Sequence, residues 1–150
     1  MVGYSGTPLA HKLGITPGAR LALLGAPDGF AATLDLAATV GEVRVLQAVR
    51  APLDVAVLFA PHRATLERRF AAAAAALPPA GGLWVAWPKR ASGVTTDLTE
   101  AGVRELGLAA GLVDNKVCAI DAVWSGLRFV RRLRDRSPRH ASVDVRAPQS

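Results

Sequence analysis

Lys89 and Arg90, with Trp87 before them and Ser92, Gly93 and Thr96 after, are the densest group of ligand-capable side chains in the sequence. Two cations, two hydroxyls and a glycine beside an indole offer an anionic ligand charge, donors and a wall to lie against. The group runs into Asp97-Leu-Thr-Glu100, which reads as a capping box. In that reading Asp97 accepts from the free amides of the next helix and Glu100 reaches back. A helix start also favours anions through its outward N–H dipoles, although Asp97 is expected to occupy this one. A packed structural loop is the competing account of the same residues.

Other groups carry weaker signals. Gly25-Ala-Pro-Asp-Gly29 joins an apolar run to a helical one, so Gly25, Asp28 and Gly29 could hold a cofactor phosphate or form a tight turn. His62 follows Pro61 at the end of a strand, a place for a general base, but it equally opens an Arg-rich solvated helix. The three histidines have no helical ligand spacing and Cys118 is not near one, so no metal site is expected. No catalytic residue is assigned. Cys118 lies mid-strand and reads as a small buried hydrophobe. Alternation would place Asp114 and Lys116 on one face of a strand. Trp124-Ser-Gly126, at the expected tip of the hairpin, reads as a recognition loop or a turn tucked onto the core.

A chain of 150 residues with 51% hydrophobic composition is one folding unit that needs no disulfide or metal. No apolar run approaches the ~20 residues of a membrane span. The first residues lack a secretory pattern, and one cysteine fits a reducing compartment, so the expected location is cytoplasmic. The net charge of +6 is concentrated: residues 1–127 hold 11 Lys/Arg against 10 Asp/Glu, whereas residues 128–150 hold seven Arg against two Asp. Arg128, Arg131, Arg132 and Arg134 could therefore meet nucleic-acid phosphates. Solubilising charge on an edge strand explains them too.

These groups need elements to position them. Thr7, Pro8 and Gly14 predict a short capped helix, and Pro17-Gly18 a turn. Strands are predicted over residues 19–25, 43–47, 53–59 and 83–87, with helices over 30–38, 61–77 and about 97–110. Two last strands, 112–121 and 124–133, pair as a hairpin. The expected fold is α/β: a mostly parallel Rossmann-like sheet, helices on both faces and a C-terminal antiparallel hairpin. Residues 1–133 form the single domain and 134–150 a basic tail expected to be disordered.

Leu77-Pro-Pro-Ala-Gly-Gly-Leu-Trp-Val and Ala110-Gly-Leu-Val-Asp-Asn-Lys-Val resemble the segments before the last parallel strand and the hairpin of class I methyltransferases. A narrower resemblance runs from Gly3-Tyr-Ser-Gly-Thr-Pro-Leu-Ala10 through Trp87-Pro-Lys to Ser125-Gly-Leu-Arg-Phe-Val130. It is to a family of small bacterial proteins catalogued only as a domain of unknown function. The broader resemblance implies a cofactor loop of Gly-x-Gly-x-Gly type and an acid at the end of the second strand. Here Pro27 stands at the middle glycine and Gln47 is the polar residue at the strand end. A non-enzymatic binding or regulatory module is therefore expected, with S-adenosylmethionine disfavoured as its ligand. Its partner would be a small anionic ligand or a protein, and a homodimer could form through the hairpin edge. The alternatives are a divergent S-adenosylmethionine-dependent methyltransferase or nucleotide binder, and a nucleic-acid-associated protein using the C-terminal arginines.

Overall fold

The computed structural model describes residues 7–133. Its centre is a six-stranded sheet in the order β2-β1-β3-β4-β6-β5. Strands β1 (Arg20–Leu24), β2 (Arg44–Leu46), β3 (Val55–Phe59) and β4 (Gly82–Pro88) are parallel. Strands β5 (Leu112–Ala119) and β6 (Trp124–Arg131) form the hairpin, and β6 pairs antiparallel with β4. The Rossmann-like expectation is met. Its cause is visible strand by strand: β3 and β4 are apolar throughout and buried throughout, as strands covered on both faces must be.

Alternation divides the core between two layers. Leu21, Leu23, Val57, Phe59, Trp84 and Ala86 face α1 (Leu9–Lys12) and α2 (Phe30–Leu34), contributing to a cluster with Leu13 and Phe30. Ala22, Leu24, Leu58, Val85 and Trp87 face α4 (Arg63–Ala75) and α5 (Glu100–Ala109), packing with Leu66, Phe70 and Val103. Trp84 and Trp87, three apart, thus lie on opposite faces. The Trp84 indole Nε1 donates to Leu13 O at 2.9 Å, which ties the end of α1 to the centre of the sheet.

Several local expectations change. The N-cap of α1 is Pro8 rather than Thr7. The helix expected over 30–38 is split into α2 and α3 (Leu36–Thr39) because Asp35 takes φ 48, a left-handed conformation that ends a helix. Asp114 and Lys116 do not share a face. A bulge at Asn115 pairs Asp114 with Phe129 and Lys116 with Arg128, and the inserted residue reverses the alternation. Asp114 consequently accepts from Arg104 Nε on α5 at 3.0 Å. Lys116 lines a cavity with Lys12 and Trp84 on the other side.

The chain passes from β2 to β3 without a helix. Residues 47–54 cross the sheet as a loop, held at its far end by Arg20, whose Nε donates to Pro52 O at 2.7 Å and whose amide donates to Asp54 Oδ2 at 2.9 Å. From β1 the chain thus turns first to β2 and then back past β1 to β3. The carboxyl ends of β1 and β3 therefore flank the point where strand order reverses, the place ligands occupy in open α/β sheets. Among the described residues no helix is long and apolar enough to cross a membrane.

Candidate functional site

Two regions stand at the carboxyl ends of the parallel strands. The first lies beyond β4, a crevice of about 650 Å³ between the β4–α5 loop and the hairpin. Trp87, Lys89, Arg90, Gly93 and Thr96 line it, five of the six residues expected there. Ser92 does not. Its Oγ donates to Lys89 O at 2.7 Å and accepts from Val94 N at 3.1 Å, closing the 3-10 turn Arg90–Ser92. Thr96 does similar work at the rim, donating to Pro61 O at 2.6 Å and accepting from Leu98 N. Ser125 of β6, which pairs with Trp87 in the sheet, supplies a wall that sequence reasoning missed.

The crevice contains charges of both signs, but they are not equally available. Asp97 does not cap α5; its Oδ1 accepts from Arg63 N at 2.8 Å, capping α4 instead. The cap of α5 is Thr99, whose Oγ1 accepts from Gly102 N at 3.0 Å. Glu100 Oε2 accepts from Arg104 Nη2 at 2.7 Å, and Glu100 with Asp114 pushes the Arg104 guanidinium to a still higher pKa. Both crevice carboxylates therefore have cationic or amide partners. Among the described residues the side chains of Lys89 and Arg90 make no hydrogen bond or ion pair. The uncommitted charge of the crevice is positive, as an anionic ligand requires.

The second region is the switch point. Gly25 and Gly29 take φ 70 and φ 83, the left-handed conformation that favours glycine. A Cβ on Gly25 would stand 3.2 Å from Phe59 O, so β1 and β3 approach closely here. Pro27 sits between the glycines and contributes its carbonyl, which accepts from Phe30 N at 3.1 Å. The turn thus uses the group proline keeps and not the N–H it lacks. Asp28 is exposed and is not the cap of α2, which is Gly29. His62 stands beyond β3 as N-cap of α4, exposed, with Nδ1 4.0 Å from Asp97 Oδ1.

The arginines of the last strand are directed inward. Arg131 Nη2 donates to Leu77 O at 2.7 Å and Ala74 O at 3.1 Å, closing the carboxyl end of α4. Arg132 Nε reaches Gly111 O at 3.4 Å. Arg128 packs its guanidinium over Gly82. Arg134 and the basic tail lie outside the described residues. Cys118 is half-buried, and burial pushes its thiol pKa up against a smaller lowering by Lys12.

No family model and no curated protein matches the chain. Solved structures do. The O-methyltransferase of neocarzinostatin biosynthesis, in complex with S-adenosylmethionine and 2-hydroxy-5-methyl naphthoic acid, is 15% identical, with a TM-score of 0.59 over 76% of this chain and 49% of its own. A methyltransferase of calicheamicin biosynthesis, in its SAH-bound form, is 17% identical, with a TM-score of 0.56 over 84% and 53%. Magnesium protoporphyrin IX methyltransferase from Synechocystis, with bound SAM, is 12% identical, with a TM-score of 0.56 over 83% and 74%. The chain has a methyltransferase-like scaffold. It spans about half the length of the first two of these structures.

Two expectations are corrected by this finding. The expectation of a non-enzymatic binding module is not supported, because the three solved structures above that share this fold are methyltransferases. The case against S-adenosylmethionine falls too, since several of them hold it or its product. In the turn itself, Gly25 and Gly29 keep positive φ on either side of Pro27. At the end of β2, Gln47 offers a neutral amide that donates and accepts, in place of a carboxylate.

Proposed function

We propose that this chain is a divergent S-adenosylmethionine-dependent methyltransferase domain. The observation that carries the reading is the reversal of strand order between β1 and β3, with left-handed Gly25 and Gly29 at the end of β1. The Gly25–Gly29 loop would hold the adenosyl cofactor, with Gln47 available to its hydroxyls. When bound, that cofactor supplies an electrophilic methyl group.

The chain's own residues are assigned to the acceptor. Lys89 and Arg90 bind an anionic acceptor in the crevice beyond β4, the Trp87 ring gives it an apolar wall, and Ser125 and Gly93 complete the lining. Ser92 and Thr96 hold that loop in shape. Rate enhancement would come from holding acceptor and methyl donor in fixed relation, which alone can supply ~7–11 kcal/mol of a barrier. The small bacterial family resembled over residues 3–132 and a cytoplasmic location with a single cysteine are consistent with this role.

Calorimetric titration of the full chain with S-adenosylmethionine and S-adenosylhomocysteine tests the reading. Dissociation constants on the order of micromolar are expected, weakened in Gly29→Val, whose side chain would enter the loop's open side. Heats absent at millimolar ligand, or equal in the variant, would reject it.

A further inference from the structure

Another concavity, outside the acceptor crevice, lies beyond the ends of β1 and β2. It is a cavity of about 280 Å³ walled by Leu24, Gln47, Val49, Arg68, Arg69 and Ala72. Its origin is the loop 47–54. An extended segment fills less space than the crossover helix usual between parallel strands, so a gap remains between that loop and α4. The walls combine apolar surface with two guanidinium groups and one amide, and no lining residue is acidic. Among the described residues the side chains of Arg68 and Arg69 make no hydrogen bond or ion pair, although Glu67 adjoins them in sequence and is taken up by Arg63 at 2.8 Å. Arg69 Nη1 lies 3.7 Å from where a Cβ on Gly25 would stand, so one of these cations reaches the glycine that ends β1.

We infer that this cavity binds a phosphate monoester carried on the ribose of an adenine nucleotide. The position is the end of β2, where an acid grips bare ribose hydroxyls and an arginine instead accommodates a ribose phosphate in open α/β sheets. Here the neutral amide Gln47 stands in place of the acid, and the cations are present. A guanidinium group takes a phosphate through short charge-assisted hydrogen bonds that a hydroxyl cannot match. Leu24, Val49 and Ala72 supply the apolar surface against which a base or sugar lies. The volume suits one such group and not a dinucleotide, since sites for whole drug-sized ligands begin near ~300 Å³. The inference goes beyond the adenosyl reading and does not depend on methyl transfer: a nucleotide phosphorylated on its ribose would compete with S-adenosylmethionine for Gln47 at this strand end.

The test is calorimetry on the full chain with 2′,5′-ADP, 3′,5′-ADP, 5′-AMP and inorganic phosphate at two salt concentrations. One of the bisphosphates should bind at least about tenfold tighter than 5′-AMP, with the advantage shrinking at high salt. The advantage should vanish in Arg68→Ala/Arg69→Ala, whose positions are exposed, while the melting temperature stays put. Arg68→Lys/Arg69→Lys, which keeps the charge but loses the planar fork, should retain only part of it. Bisphosphates no tighter than 5′-AMP, or an advantage that survives in the alanine pair, would overturn the inference. Inorganic phosphate binding as tightly as a bisphosphate would do the same, by showing a general anion patch. S-adenosylmethionine binding that is lost while this discrimination persists would count against the methyltransferase reading alone.

Discussion

Gly107 is the position where one methyl group should matter most. It lies in α5 against Phe129, and a Cβ there would stand 2.1 Å from Phe129 Cε1, whereas ordinary contact begins at 3.4 Å. Helix and ring would have to part by roughly 1.3 Å, the difference of those two distances. Phe129 has little room to yield: it is fully buried, sits edge-on to Phe70 at 5.9 Å and belongs to a strand paired on both sides. Overpacking of this kind costs ~1–3 kcal/mol, and 2.1 Å belongs at the upper end. Replacing glycine by alanine in a helix returns about 1 kcal/mol, so Gly107→Ala should lose about 2 kcal/mol net. Gly102→Ala is the control in the same helix. Its Cβ would meet Thr99 Oγ1 at 3.3 Å and Arg63 Nη1 at 3.7 Å, so it should lie between no change and a gain of about 1 kcal/mol. Urea unfolding of both variants, read by tryptophan fluorescence, measures the difference. If Gly107→Ala falls within about 0.5 kcal/mol of the parent, or matches Gly102→Ala, the packing of α5 on Phe129 described above is wrong.

Two further expectations follow from the hydrogen bonds and a third from the burial of Cys118. Asp97→Ala should cost about 1 kcal/mol by uncapping α4, and Asp97→Asn should recover much of it, by the same unfolding measurement. Arg131→Met should cost about 1–3 kcal/mol because the carbonyls at the end of α4 lose a charged donor. A fall in nucleic-acid affinity without any loss of stability would contradict that assignment. For Cys118, the raised pKa leaves less thiolate at neutral pH than an ordinary cysteine has. Alkylation by iodoacetamide should therefore lag a free thiol near pH 8 and catch up only at more alkaline pH, and Lys12→Ala should widen the lag. Labelling as fast as a model thiol at pH 8 would refute it.

The central strands were legible because burial on both faces leaves an uninterrupted apolar run, as in Leu21–Leu24 and Leu83–Trp87, and the hairpin because two partly apolar segments stand close together around Ala122-Val123. The crevice beyond β4 was legible for a similar reason, since five of its lining residues are consecutive or nearly so. What sequence spacing hides is the long-range partner. Asp97 stands before α5 and satisfies every rule for its cap, yet it accepts from an amide 34 residues earlier. A carboxylate bonds whichever donor folding brings within reach, and only the packed sheet decides that. Arg131 likewise resembles a solvated cation until α4 brings its last carbonyls alongside. The bulge at Asn115 leaves no mark in composition, so the facing of Asp114 and Lys116 was misjudged. Pro27 was misjudged for another reason: the residue type was weighed without knowing which of its backbone groups the turn employs.

The segment between β2 and β3 gives the molecule one thin side. Of residues 47–54, only Leu53 and Asp54 donate a backbone amide outside the strand ladders among the described residues. The edge strand beside it is held by three register positions. Leu53, fully buried, and Asp54 anchor the far end of the segment, so only its start, residues 47–49, could part from α4 by breaking few bonds while α5 and the central strands stay closed. That lightly bonded stretch is one wall of the cavity that Arg69 lines, so the shape of the cavity need not follow the stability of the whole domain.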